Sequence, residues 1–362
     1  MPAGSAPVAV GENDAEEPYL PEAEYAAFEQ AAEAAVNRIG TSAPKQRQGV
    51  APRELSEIAA AMTDAFEAER QRDRTIRGIR TGFPSLDEHF CGFARQQLVV
   101  IHGLSGYGKS HFANHCLFAT ALAEQTKGDA REWTVVFLCE GMAESLLSAF
   151  LGYRYGVPEQ CREAGSASYS TPEIEEAIAN GRAEFGSLPI LVTDEIKQLV
   201  DIEQYIRDAV KQYPVAGVVV DHLQEVKAPG CKNPSHQGVN MVSEHLRDLS
   251  EKELHIPIVG LSQTTADQKG NYNPQYGNAI REKSSLCFQL DRGKQGCKRE
   301  EAVQSNLLRV VNDKSRWKRV APTLTLVGDY QTGRMYEEAE WLRLQAQRQA
   351  YGAHGEDIYG NQ

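Results

Sequence analysis

No apolar stretch in this sequence approaches the roughly 20 residues that a membrane-crossing helix needs, and the mean hydropathy of -0.46 agrees. The seven cysteines never form a CxxC pair, which excludes both a disulfide framework and a four-cysteine zinc site. The opening segment, MPAGSAPVAVGENDAEEPYL, lacks the basic stretch and long apolar core of a secretory signal. A reducing, cytoplasmic compartment is the expectation. Basic residues are missing altogether from residues 1–37, which hold eight acids (Glu12, Asp14, Glu16, Glu17, Glu22, Glu24, Glu29 and Glu33). The formal net charge is -12, so the rest of the chain carries only -4. That balance argues against a purely electrostatic nucleic-acid coat, which needs a basic face. It leaves room for a ring or channel whose basic residues line only the bore.

Residues 1–45 read as an acidic, largely disordered arm, with a short helix over 22–36 from Tyr25, Phe28, Ala32 and Val36 at helical spacing. Residues 46–80 read as linker plus a helix over 53–72, whose Leu55, Ile58, Met62 and Phe66 form a narrow apolar stripe without a neighbouring partner. The arginines Arg70, Arg72, Arg74, Arg77 and Arg80 fit DNA, a neighbour's acidic arm or simple solvation. Over 81–340, short β-branched runs alternate with helix-length amphipathic segments. The pattern predicts strands at 98–101, 134–138, 190–193, 217–220, 258–261, 307–311 and 323–327. It predicts helices over 109–125, 142–155, 171–183, 199–212, 238–254 and 337–348. The fold class is therefore α/β, with a mainly parallel central sheet flanked by helices and antiparallel edge strands within 306–336. Residues 341–362 form a C-terminal tail.

Gly103-Leu104-Ser105-Gly106-Tyr107-Gly108-Lys109-Ser110 is a complete GxxxxGK[ST], placed after a strand and at the start of a helix. Its backbone can wrap a phosphate chain, with amides and the helix N-terminus aimed at the anion. Lys109 would reach the β- and γ-phosphates of ATP or another NTP, and Ser110 would ligate Mg²⁺. Asp221, ending the apolar strand Gly217-Val-Val-Val-Asp221, is the candidate second metal carboxylate. Glu140 ends the strand after the P-loop helix. It fits a group that orients or deprotonates the attacking water, and equally an acid stabilising the N-terminus of the next helix. In the Pro- and Gly-containing segment 225–237, Lys227 and Lys232 fit phosphate contacts or an ordinary surface loop. Cys231, His236 and Cys297 have no zinc spacing.

Together these residues resemble the RecA-like motor domain of the DnaB-type replicative helicases, a family with phage and mitochondrial relatives, from about Thr81 to Tyr336. Thr81-Gly-Phe-Pro-Ser-Leu-Asp87 is similar to the family's opening TGxxxLD, and Asp221-His-Leu-Gln224 to its DYLQ box, with His222 in place of Tyr. Ile256-Pro-Ile-Val-Gly-Leu-Ser-Gln263 is similar to the strand ending in SQ, and the likeness implies that Gln263 couples the γ-phosphate to bound DNA. It also implies that Glu140 is the catalytic base. Ile280-Arg281-Glu282-Lys283-Ser284-Ser285 resembles the RESGS loop that grips single-stranded DNA, with Ser284 nearest the missing Gly. Lys314-Ser-Arg316, expected to precede a strand, looks like the K-x-R supplied to the neighbouring subunit's nucleotide.

The resemblance implies a RecA-like P-loop NTPase that forms a ring, hexameric in its relatives' manner, with the helix over 53–72 docked on the adjacent subunit. Its expected substrate is single-stranded DNA, and primase, polymerase and loader are the candidate replisome partners. Nothing upstream resembles the helical collar of bacterial DnaB, so collar-based primase binding is not implied. A RecA- or RadA-like recombination ATPase and a regulatory assembly ATPase are the rival readings.

Overall fold

The structure, a computed structural model, describes residues 78–162, 171–266, 272–274, 279–293, 304–316, 319–329 and 331–352, together with positions 55, 56, 63, 76 and 301. The expected helix over 22–36, most of the helix over 53–72, Arg70, Arg72, Arg74, Arg77 and Cys297 lie outside the described residues. Leu55, Ser56 and Thr63 are helical. The chain divides into two units, Met1–Asp73 and Arg74–Gln362; the elements below all belong to the second.

Among the described residues, twelve strands follow in chain order: β1 (Gly78–Ile79), β2 (Phe93–Ala94), β3 (Leu98–Gly103), β4 (Trp133–Leu138), β5 (Ile190–Thr193), β6 (Val215–Asp221), β7 (Ile258–Ala266), β8 (Tyr272–Pro274), β9 (Leu286–Arg292), β10 (Leu307–Ser315), β11 (Leu324–Asp329) and β12 (Arg334–Glu337). The α-helices are α1 (Pro84–Phe90), α2 (Lys109–Gln125), α3 (Glu144–Phe150), α4 (Glu159–Arg162), α5 (Pro172–Phe185), α6 (Leu199–Gln212), α7 (His236–Asp248), α8 (Ala279–Lys283) and α9 (Glu338–Gly352). The helices expected over 142–155 and 238–254 end as π-helical turns, Leu151–Tyr155 and Leu249–Leu254. Among the described residues, no helix is long and apolar enough to cross a membrane.

The main sheet runs β12-β11-β10-β9-β3-β7-β6-β4-β5, with β8 added beside β7. The six strands from β9 to β5 are mutually parallel, and β10, β11 and β12 extend the sheet as an antiparallel edge. Strands buried on both faces read as unbroken apolar runs, and Leu98, Val99, Val100 and Ile101 are all fully buried. Phe112, Phe118 and Leu146 pack on one face with Val99 and Ile101. Ile202, Ile206, Val242 and Leu246 cover the other, against Val100 and Val218.

Strand β9 departs from the expected pattern and lies at the centre of the sheet between β3 and β10. Its Gln289, Asp291 and Arg292 broke the apolar run, while its neighbours bury Leu286, Cys287, Phe288 and Leu290. The short elements β1, β2, β8, β12, α1, α4 and α8 were likewise absent from the expectation. They are too brief to carry a period and form through tertiary contacts. The Thr81–Asp87 motif has a structural explanation. Asp87 Oδ1 accepts from the Thr81 amide (2.8 Å) and hydroxyl (2.9 Å), and Oδ2 from the Gly82 amide (3.2 Å), which fixes the turn into α1.

His115 on α2 stacks on Phe83 at 4.1 Å and meets Tyr153 edge-on. Burial of the imidazole lowers its pKa from 6.5 to about 4, opposed only by a contact with the Gly82 carbonyl. On acidification through this window the unfolded chain takes up a proton that the folded chain refuses, so stability is full above 6.5 and falls towards 4. The loss is about 2 kcal/mol by pH 5. Urea denaturation at pH 7.5 and 5.0 should show that loss, and His115→Leu should shrink the difference between the two pH values by about that amount.

Candidate active site

Four parallel strands deliver the site at the C-terminal edge of the sheet, where open α/β folds bind ligands. Gly103 ends β3 and begins the phosphate loop; it pairs in register with Gln263 on β7. Asp221 ends β6, and Glu140 lies two residues beyond β4. Gln263, Asp221 and Glu140 line one cavity of about 430 Å³ together with Ser105–Ser110, His222, Arg292 and Asp329.

The loop adopts the conformation its glycines permit. Gly108 caps α2 with φ of +84°, a left-handed conformation that favours glycine. At Gly103 the constraint is space, since a Cβ there would lie 2.8 Å from the Leu290 carbonyl oxygen on β9. Gly103→Ala should therefore part β3 from β9 beside the loop and lower stability by about 1–3 kcal/mol. Nucleotide affinity should fall with it, checked by urea denaturation and by titration with a fluorescent nucleotide.

Lys109 Nζ donates to the Gly103 and Leu104 carbonyls, both at 3.0 Å. Burial lowers its pKa, opposed by the carboxylates of Asp221 and Glu140. The Ser110 hydroxyl is hydrogen-bonded to Asp221, whose carboxyl burial pushes upward while Ser110, His222 and Lys109 act to lower it. A hydroxyl beside a carboxylate is an oxygen donor set that suits Mg²⁺, and the ammonium beside it can exchange loop carbonyls for phosphate oxygens. Ser110 and Asp221 thus fit the metal, and the loop fits a nucleoside triphosphate. Glu140 is exposed at the cavity mouth, 3.4 Å from His222 Nε2. Gln224 holds the main chain of Gln263 from both sides, accepting from its amide (3.3 Å) and donating to its carbonyl (3.2 Å).

Arg292, His222 and Gln224 were not singled out as site residues. Arg292 Nη1 donates to the Gly106 carbonyl at 3.0 Å, tying β9 to the phosphate loop. It was hidden with its strand, although Leu286–Leu290 is apolar enough to have marked one. His222 stood only as a departure from Tyr, and Gln224 only as a motif letter.

The remaining expected residues lie away from this cavity. Lys314 and Arg316 are at the end of β10, not before a strand, since β10 runs on to Ser315. Ser315 pairs with Leu286, and Leu286 with Val99, whereas Gly103 pairs with Leu290. Four strand residues, about 13 Å, therefore separate this end from the start of the phosphate loop. Lys314 Nζ donates to the carbonyls of Arg281 (2.7 Å), Glu282 (2.8 Å) and Ser284 (2.7 Å). Arg316 Nη1 contacts both carboxylate oxygens of Glu251 at 3.2 Å.

The Arg281 segment is helix α8 rather than a loop through residue 283. A helix satisfies its backbone locally, and Lys314 takes the carbonyls left over at its end. Arg281 and Glu282 are exposed, while Ser284 is buried with its hydroxyl on the Arg281 carbonyl (2.8 Å) and presents no surface contact. Lys227 and Lys232 are exposed; the Lys227 amide donates to the Lys197 carbonyl at 2.8 Å.

The pattern of the DnaB-like helicase C-terminal domain matches residues 78–287, more than half of the chain. The replicative DNA helicase DnaB of Geobacillus stearothermophilus is 26% identical over 236 residues, covering 64% of this chain and 50% of that protein. The replicative DNA helicase DnaC of Bacillus subtilis is 24% identical with the same coverage. This chain spans about half the length of these curated relatives. Among solved structures, the ATPase domain of G40P superposes with a TM-score of 0.66 at 18% identity, covering 77% of this chain and 98% of that one. A DnaB-like replicative helicase, described with its interactions with primase, gives 0.62 at 18% identity over 76% of this chain and 67% of that one.

Proposed function

This chain belongs to the DnaB-like helicase C-terminal domain family, and on that premise we propose that it is a ring-forming, ATP-dependent DNA helicase that translocates on single-stranded DNA during replication. The observation that carries the proposal is the meeting of Lys109, Ser110, Glu140, Asp221 and Gln263 around one cavity. The phosphate loop binds the triphosphate, and Lys109 turns from its own carbonyls to the β- and γ-phosphate oxygens. Mg²⁺ held by Ser110 and Asp221 would offset the charge spread over those oxygens. Glu140 orients the attacking water and accepts its proton, with His222 holding the carboxylate. Gln263, fixed through its main chain by Gln224, faces the γ-phosphate.

Arg316 and Lys314, on the opposite edge of the sheet, belong in this reading to the nucleotide site of the adjacent subunit in a hexamer. Arg281 takes a DNA phosphate. Because such contacts go to phosphates, binding is largely sequence-blind and weakens steeply with salt. Primase, polymerase and loader are the partners, and the cytoplasm the location, that accompany this activity.

The test is Mg²⁺-dependent ATP hydrolysis with and without oligothymidylate, alongside unwinding of a forked duplex and mass photometry of the assembly. The proposal expects DNA-stimulated turnover, unwinding and closed rings. Turnover indifferent to DNA would leave an assembly-regulating ATPase, and filaments in place of rings would leave a recombination protein.

A further inference from the structure

The nucleotide cavity and Arg281 lie at opposite edges of the sheet, yet a chain of polar side chains joins them. Asp313 is the extra residue where the β9–β10 register shifts between Asn312 and Lys314. Arg281 holds its carboxylate, with Nε 2.5 Å from Oδ2 and Nη2 3.0 Å from Oδ1. Asp313 Oδ2 in turn lies 3.8 Å from His102 Nε2. His102 is on β3, directly before Gly103, and is 1% exposed. Its Nδ1 is 3.2 Å from the Thr264 hydroxyl, and Thr264 follows Gln263 on β7.

One link in this chain is open. His102 Nε2 is buried without a hydrogen-bond partner, a condition that native interiors seldom tolerate. Asp313 Oδ2, at 3.8 Å, lies just beyond hydrogen-bond distance and is held there by Arg281. Cys287 Sγ lies within 4.8 Å of the same His102 and Asp313 atoms. Arg281 already occupies both Asp313 oxygens, so the geometry supports a contested carboxylate rather than a shared cation.

We propose that His102 and Asp313 are positioning residues that couple Arg281 to Gln263, the Asp313 carboxylate being exchanged between the Arg281 guanidinium and the His102 imidazole. The inference rests on the reading in which Arg281 binds DNA and Gln263 faces the γ-phosphate. When Arg281 turns to a DNA phosphate, Asp313 is released and closes on His102 Nε2. With the proton on Nε2, Nδ1 accepts from the Thr264 hydroxyl, and that hydrogen bond pins the strand segment carrying Gln263. Without DNA, Arg281 draws Asp313 away, nothing fixes the proton on Nε2, and the contact between His102 Nδ1 and the Thr264 hydroxyl loses its set direction.

The test measures Mg²⁺-ATP turnover of the full chain with and without oligothymidylate, and oligothymidylate affinity by anisotropy. His102→Phe removes the central link, and Thr264→Val keeps the volume while removing the hydroxyl, should the first variant fold poorly. In both, turnover without DNA should stay within about twofold of the parent, and DNA affinity likewise, while the factor by which DNA raises kcat should drop at least about fivefold. Asp313→Asn should lose stimulation too but bind oligothymidylate more tightly, because Arg281 is no longer held. A purely structural role would lower turnover with and without DNA together. An unchanged stimulation factor in folded His102→Phe or Thr264→Val overturns the coupling and leaves the helicase reading standing. Absence of stimulation in the parent protein overturns the helicase reading, and the coupling with it.

Discussion

Glu140→Gln is expected to cut ATP turnover by about 10²- to 10⁴-fold, the range for losing a general base, while nucleotide affinity changes little. Glutamine keeps the shape of the side chain and can still hydrogen-bond to water, but it cannot take a proton. The binding loop, Ser105–Ser110, does not depend on Glu140 for its conformation; its lysine is satisfied by the Gly103 and Leu104 carbonyls. The competing role, an acid at the N-terminus of the next helix, is already filled. The Ala143 amide is capped by Asp194 Oδ2 at 2.8 Å, and α3 begins four residues beyond Glu140. A helix-end charge would be worth only about 0.3–1 kcal/mol of stability and would leave turnover intact. Phosphate release under single-turnover conditions, paired with a nucleotide titration, separates the two. Normal turnover in Glu140→Gln would remove Glu140 from the chemistry.

Arg316→Ala is expected to reduce turnover by about 10³- to 10⁵-fold, the usual worth of an arginine finger. The structure makes this prediction sharp, because Arg316 sits at the far edge of the sheet from its own phosphate loop and pairs with Glu251. As a part-exposed ion pair it would be worth about 0–1 kcal/mol of stability and nothing to turnover. As a group for the neighbour's site, its loss should be complemented. In a random mixture of Arg316→Ala and Glu140→Gln subunits, about a quarter of the interfaces in a cyclic ring combine an intact Glu140 with an intact Arg316. Turnover should rise well above that of either variant alone. Full activity in Arg316→Ala, or a loss that mixing cannot repair, would exclude supply in trans.

The sequence was most legible where chemistry and local structure coincide. A glycine-rich loop after an apolar strand, and a carboxylate at the end of another, declare themselves by spacing because the fold builds them from contiguous residues. Gly103–Ser110, Asp221 and Glu140 were legible in this way, and the alternation of strands and helices around them announced the sheet. Strand β9 was not, because burial by β3 and β10 overrides the polarity of Gln289 and Asp291. Residues 280–285 were expected as loop for a related reason: the five-residue helix Ala279–Lys283 carries too little periodicity, and its end is completed by Lys314, more than 30 residues away. His222 against Glu140, and Asp313 between Arg281 and His102, depend on strand order and on a register shift. Neither is encoded in local spacing.

Strand β9 also sets how force can travel through this molecule. One end follows α8, and at the other Arg292 grips the phosphate loop through the Gly106 carbonyl. Between them the strand is bonded on both sides, to β3 and to β10. It cannot slide by one residue without turning its buried side chains to the opposite face. A pull applied near Arg281 therefore finds no compliant spring between itself and the nucleotide. The sheet behaves as a stiff beam, so mechanical work must appear as tilting of the beam as a whole.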